Sequence, residues 1–261
     1  MTSPSATPTP SGSPRISDES KRQALRTVNR RTGPLGLLWQ WAQTFTIAVL
    51  VFLFVRAFFV EAFKIPSGSM ERTLLPGDFL LVDKLAYGAA IPFVGHRLPG
   101  YRSPARGDVI VFEYPLDATK TYVKRLVGLP GDTLSMREGT LVRNGVVVSE
   151  PYVVHSDPGL DPGNEQFGWQ RPYLVRTAEA AAFGDHPTRN NWGPLVVPAG
   201  KYFALGDNRD NSEDSRYWGF VPAENVRGRP LVVYYSYSPD SGTEFRWLSA
   251  VRWGRLGERI H

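Results

Sequence analysis

Between residues 35 and 55 the chain runs for 21 positions without a formal charge. As a helix rising about 1.5 Å per residue, this run would reach roughly 31 Å, the depth of a bilayer's hydrocarbon core. Trp39 and Trp41 lie near its start, where indoles favour the membrane–water boundary. Lys21, Arg22, Arg26, Arg30 and Arg31 precede it, with no acid after Glu19. The positive-inside rule assigns that basic side to the cytoplasm and exports everything after the helix. Gln40, Gln43, Thr44 and Thr46 dilute the apolar character, so a cleavable leader and a buried core helix stand as alternatives. A cleavable leader has a shorter apolar run and small residues at its cut. Here the run continues into Phe58, Phe59 and Phe63, and only Val60-Glu61-Ala62 resembles a cut site. The expectation is a retained transmembrane helix over 35–57. Ahead of it, 1–34 is expected to be a disordered, basic cytoplasmic tail. Its first 18 residues are rich in Ser, Pro and Thr with Ile16 as the one large aliphatic, too little apolar surface to offset ordering entropy.

Residues 58–261 read as an extracytoplasmic domain of mostly β structure. Short β-prone runs at 79–82, 109–114, 122–127, 145–148, 202–205 and 231–237 alternate with Gly and Pro punctuation. The stretch 137–198 is rich in Gly, Pro, Asn and Asp and reads as an insertion of ribbons and loops. The chain holds no cysteine, which removes thiol nucleophiles, thiolate metal ligands and disulfides. Its four histidines, at 96, 155, 186 and 261, never fall at the i, i+4 spacing of a helical zinc site. A net charge of +5, without a basic run interleaved with aromatics, argues against nucleic acid as a partner. Serine, lysine and the carboxylates are left to carry any chemistry.

Three segments gather those residue types. The first is PSGSM at 66–70, where Ser67 and Ser69 flank Gly68 a few residues beyond the membrane surface. By itself it also fits an ordinary turn. In TYVKRLVGLPGD at 121–132, strand alternation puts Tyr122, Lys124 and Leu126 on one face. A lysine held between an aromatic and a leucine loses hydration, which lowers its pKa toward what a neutral amine base requires. A half-exposed, snorkelling lysine is the plainer alternative. The third, GDNRDNSEDSRYWGFVP at 206–222, has the Asp, Asn and Ser content of a tight loop held by side chain to backbone hydrogen bonds. A calcium loop starting at Asp210 fails, because Ser215 replaces its glycine and Val221 its terminal glutamate.

In this order, after an apolar span, the three segments resemble type I signal peptidases, the Ser/Lys-dyad enzymes that remove signal peptides from exported preproteins. The lead-in VRAFFVEAFKIPSGSM, the segment RGDVIVFEYP and, less specifically, the closing WLSAVRWGRLGERIH extend the similarity. The resemblance implies a signal-peptidase-like β-sheet domain anchored in the bilayer, acting on signal-peptide-bearing preproteins without metal or organic cofactor. It implies Ser69 as nucleophile and Lys124 as general base. Ser67 would help the Ser69 backbone N–H hold the oxyanion, and Ser212 would hydrogen-bond and orient the lysine. Asp214 and Arg216 match a structural ion pair. Phe63, Ile65, Val111 and Val123 match pocket walls for small substrate residues at the first and third positions before the cut. Glu71-Arg72 departs from the pattern, where a small or apolar residue followed by proline is more usual. The same dyad would also serve a specialised processing peptidase of a secretion system or organelle.

Overall fold

The computed structural model describes residues 33–89, 96–175, 186–240, 242 and 246–261. The basic cluster and the Ser/Pro/Thr-rich stretch lie outside the described residues. Two compact units divide the chain, Met1–Leu53 and Phe54–His261. Helix α1, Pro34–Phe58, is long and apolar enough to cross a membrane. Pro34 sits at its first turn, where the missing N–H goes unused, and none of its residues is buried. Arg56 lies in the last turn, the end that favours a cation.

The larger unit is built on antiparallel strands. In chain order these are β1 Val60–Lys64, β2 Asp78–Asp83, β3 Val109–Tyr114, β4 Asp117–Gly128, β5 Thr133–Arg137, β6 Thr140–Arg143, β7 Val146–Val147, β8 Trp192–Val196, β9 Lys201–Leu205, β10 Val221–Pro222 and β11 Val226–Ser236. Seven of them form one sheet in the order β1-β2-β11-β3-β4-β9-β10, and four form a second, β7-β6-β5-β8. The second sheet, with a 3-10 segment at Glu165–Tyr173, occupies the Gly- and Pro-rich stretch, and its first strand starts at Thr133. Two single-turn helices, α2 Ser215–Trp218 and α3 Arg246–Ser249, and 3-10 turns at Gly68–Met70, Ala223–Asn225 and Trp253–Arg255 complete the described elements.

Strand alternation decides how the core is shared. Val109 and Val111 of β3 join Ile65, Leu80, Val82 and Val123 in one apolar cluster. The intervening Ile110 and Phe112 join Leu126, Ala204 and Trp218 in another. Both faces of β3 are therefore buried, as its unbroken VIVF run requires. A third cluster, around Trp192, Leu134 and Phe203, joins residues of the second sheet to β9. β4 is the strand that matters most for the site. Its register on β3 sets Lys124 opposite Ile110 and Val123 opposite Val111, while β9 pairs with it only from Arg125 onward. Among the described residues, the edge of β4 that faces away from β3 is therefore free of strand partners through Lys124.

Candidate active site

Ser69 lies in a 3-10 turn, Gly68–Met70, entered from extended backbone at Ser67. The turn is pinned from below by Met70 and Leu74, both fully buried, and Leu74 N–H donates to Met70 O at 2.7 Å. On its other side Asn208 N–H donates to Ser69 O at 3.1 Å. Gly206 allows this close approach, because a Cβ there would collide with Ser69 O and with Ser212 Oγ. The 206–216 loop and the serine turn are thus packed backbone to backbone.

Lys124 reaches the same point from β4. Only 4% of the residue is exposed, and its Nζ lies 2.6 Å from Ser69 Oγ. The Tyr122 ring centroid is 5.9 Å from the amine, and Leu126 continues the same strand face into the apolar cluster. Burial dominates its proton equilibrium and pushes the pKa down from 10.5 to about 8. Asp214 pulls the other way, Arg216 adds to the lowering, and Glu213 and Asp207 oppose it.

Asp214 and Arg216 are both fully enclosed. The guanidinium donates to the two carboxylate oxygens at 2.8 Å each, and its Nη2 also reaches Arg209 O at 2.7 Å. Asp214 Oδ2 accepts the Gly206 N–H at 3.0 Å. Burial works against the Asp214 charge, yet the adjacent Arg216 holds its carboxyl below the usual carboxylate range. This pair ties the two ends of the loop together around Ser212.

A cavity of about 380 Å³ opens beside the two reactive groups, lined by Phe63, Ile65, Ser67, Ser69, Val123 and Lys124, with Asn211 and Glu213 at the loop side. Ser67 is exposed and caps no backbone group with its hydroxyl.

One expectation needs correction. Ser212 is buried near Ser69, but its Oγ makes no hydrogen bond, to Lys124 or to any other described residue. The loop closed by Asp214 and Arg216 seats that hydroxyl over Gly206, and the amine bonds Ser69 instead. Val111 does not line the cavity at Ser69. It lines a neighbouring cavity of about 280 Å³ that also contains Phe63, because its place on β3 lies one strand behind Val123.

Other contributors escaped sequence reasoning. Arg125, on the face of β4 opposite Lys124, forms a fork on Asp207 at 2.8 and 2.7 Å. It stacks 3.9 Å from the Tyr152 ring centroid and donates to Gly107 O and His261 O. Thr73 Oγ1 donates to the same Asp207 at 2.6 Å. The unusual Glu71-Arg72 pair also gains a reading. Glu71 accepts from Asn208 Nδ2 at 3.0 Å, and Arg72 takes a φ of 78°, which proline could not adopt. Arg125 and Asp207 lie beside residues already singled out, and that adjacency is the one signal that could have exposed them.

A β-sheet domain that brings a serine hydroxyl against a buried amine beside a small cavity is that of a serine peptidase. Comparison with known proteins places it further: the chain belongs to the signal peptidase family, peptidase S26, which matches residues 38–235. It is 41% identical over 223 residues to signal peptidase I of Pseudomonas aeruginosa, covering 78% of this chain and 74% of that one. Signal peptidase I of Pseudomonas fluorescens is 38% identical, covering 77% and 74%. The Aquifex aeolicus enzyme is 33% identical over 238 residues, covering 79% and 88%.

Proposed function

We propose that this protein is a membrane-anchored endopeptidase that removes N-terminal signal peptides from exported preproteins, with Ser69 as nucleophile and Lys124 as general base. The observation that carries the reading is the 2.6 Å contact between Lys124 Nζ and Ser69 Oγ in a buried setting.

Neutral Nζ takes the Ser69 proton as Oγ attacks the scissile carbonyl, forming a tetrahedral oxyanion. The Ser69 backbone N–H and the Ser67 hydroxyl are the donors assigned to that charge, each worth about 3 kcal/mol in comparable sites. The resulting ammonium returns its proton to the leaving amine, and the acyl group stays as an ester on Ser69. Water, deprotonated by the same amine, then releases the signal peptide and frees the serine. Asp214 and Arg216 take no part in proton transfer and hold the loop against Ser69. The substrate lies extended along the unpaired edge of β4, with small side chains against Phe63, Ile65 and Val123.

Helix α1 is the bilayer anchor. The basic residues before it keep the N-terminus in the cytoplasm, and the domain after it works on the far side, where signal peptides emerge. The test is cleavage of one preprotein in detergent by wild type, Ser69→Ala and Lys124→Ala. Each substitution should reduce cleavage by about a thousandfold or more. Unchanged cleavage by Ser69→Ala would remove the serine from the chemistry.

A further inference from the structure

The 206–216 loop is held from two sides. On the inner side, contacts join it to the serine turn at every second residue. Asn208 N–H donates to Ser69 O at 3.1 Å, Asn208 Nδ2 donates to Glu71 Oε2 at 3.0 Å, and Thr73 Oγ1 donates to Asp207 Oδ2 at 2.6 Å. On the outer side lies segment 150–157 of the insertion, which belongs to neither sheet. Val154 pairs there in parallel with Asn208, accepting the Arg209 N–H at 2.9 Å and giving its own N–H to Asp207 O at 2.8 Å. Glu150 holds the Arg209 guanidinium through both carboxylate oxygens, at 2.9 and 2.7 Å. Ser156 Oγ donates to Asn208 Oδ1 at 3.0 Å, and the Asp157 N–H donates to Asp210 Oδ2 at 2.8 Å.

The two sides meet at Asn208. This residue is buried, so both ends of its amide need partners. Glu71 as a carboxylate can only accept, which turns the NH2 toward the serine turn and leaves the amide oxygen to the Ser156 hydroxyl. Neither contact touches the reacting atoms. Together they fix the direction of the Asn208 backbone N–H, and that N–H fixes the Ser69 carbonyl. The Ser69 hydroxyl and N–H belong to the same residue, so a rotation of its backbone would carry Oγ away from Lys124. A displacement of about 1 Å in a reacting group can cost about a hundredfold in rate.

Given Ser69 as the nucleophile proposed above, we infer that Glu71 and Asn208 are a positioning pair for it, and that segment 150–157 is the strap that keeps this pair in place. Part of the insertion thereby acquires a task, as a brace behind the catalytic loop.

The experiment measures kcat and KM of the full chain in detergent on a signal-sequence peptide with alanine at the first and third positions before the cut. Asn208→Asp keeps the side-chain shape but sets a carboxylate against Glu71. Its kcat should fall about tenfold, with KM within about twofold of wild type. Glu71→Gln alone should lower kcat about twofold to threefold, because a neutral acceptor holds the Asn208 amide less strongly. In the chain with both substitutions the glutamine amide donates to the introduced carboxylate, and kcat should return to within about threefold of wild type. Ser156→Ala should lower kcat about threefold, and should lower it no further in a chain that already carries Asn208→Ala. Thermal unfolding is recorded on each sample, so that lost kcat can be compared with the fraction unfolded. A tenfold loss that persists in the doubly substituted chain, a loss confined to KM, independent effects of Ser156→Ala and Asn208→Ala, or a loss equal to the unfolded fraction overturns the assignment. If the parent reading fails instead, cleavage of the peptide survives Ser69→Ala.

Discussion

The dependence on Lys124 can be worked out from its surroundings. Burial lowers its pKa from 10.5 to about 8, a shift corresponding to about 3 kcal/mol against the charged form. At pH 7 about one molecule in ten then carries a neutral amine, compared with about one in three thousand for an ordinary lysine, a gain in available base of about 300-fold. With the neutral amine as the proposed base, activity should be lost as pH falls through the folded pKa. The kcat/KM of the detergent-solubilised full chain on a fluorogenic peptide should rise about tenfold per pH unit from pH 6 and level off above about 8. Lys124→Arg keeps the charge but cannot give up its proton, so it should fall by about a thousandfold at every pH in the same assay. A flat profile from pH 6 to 9, a limb centred near 10.5, or near-normal turnover of Lys124→Arg would refute the argument.

Glu213 lies at the rim of the cavity and favours the ammonium, so Glu213→Gln should move the acidic limb of that profile to lower pH; a shift upward contradicts this electrostatic assignment. Asp214→Ala leaves the Arg216 guanidinium enclosed without its carboxylate and should cost about 3–5 kcal/mol of stability, read as a lower Tm in thermal unfolding. Gly206→Ala forces a methyl between Ser212 and the Ser69 carbonyl. It should reduce kcat by about a hundredfold by displacing the nucleophile turn, with α1 and the strand content intact by circular dichroism.

Much of this site can be traced in the chain itself because strand geometry is periodic. The alternation that groups Tyr122, Lys124 and Leu126 holds in β4, and the amine emerges on the face that meets Ser69. Val111 shares a sheet face with its expected companions, but its distance along the groove depends on inter-strand register, which a single strand's pattern does not contain. The Ser212 hydroxyl depends on a loop whose shape comes from Asp214, Arg216 and the contact at Gly206, so its direction could not be read locally. β1 is a different case. VEAFK reads as the frayed end of an apolar run, and it becomes a strand only through pairing with β2, from Val60 with Asp83 to Lys64 with Phe79. β5, β6 and β8 lie among turn-forming residues and owe their strand character to one another. The positive φ at Arg72 had no local signal either, since arginine rarely adopts it.

One strand, β4, supplies both the amine at Lys124 and the apolar wall at Val123. The proposed base and the proposed substrate wall are therefore adjacent links of one backbone and cannot drift apart. A peptide that slips by one residue along such an edge turns every side chain to the opposite face, whereas a slip of two restores the pattern. Errors of cleavage should consequently come in steps of two: a preprotein whose correct site is blocked should be cut two residues away, and its neighbouring bond left whole.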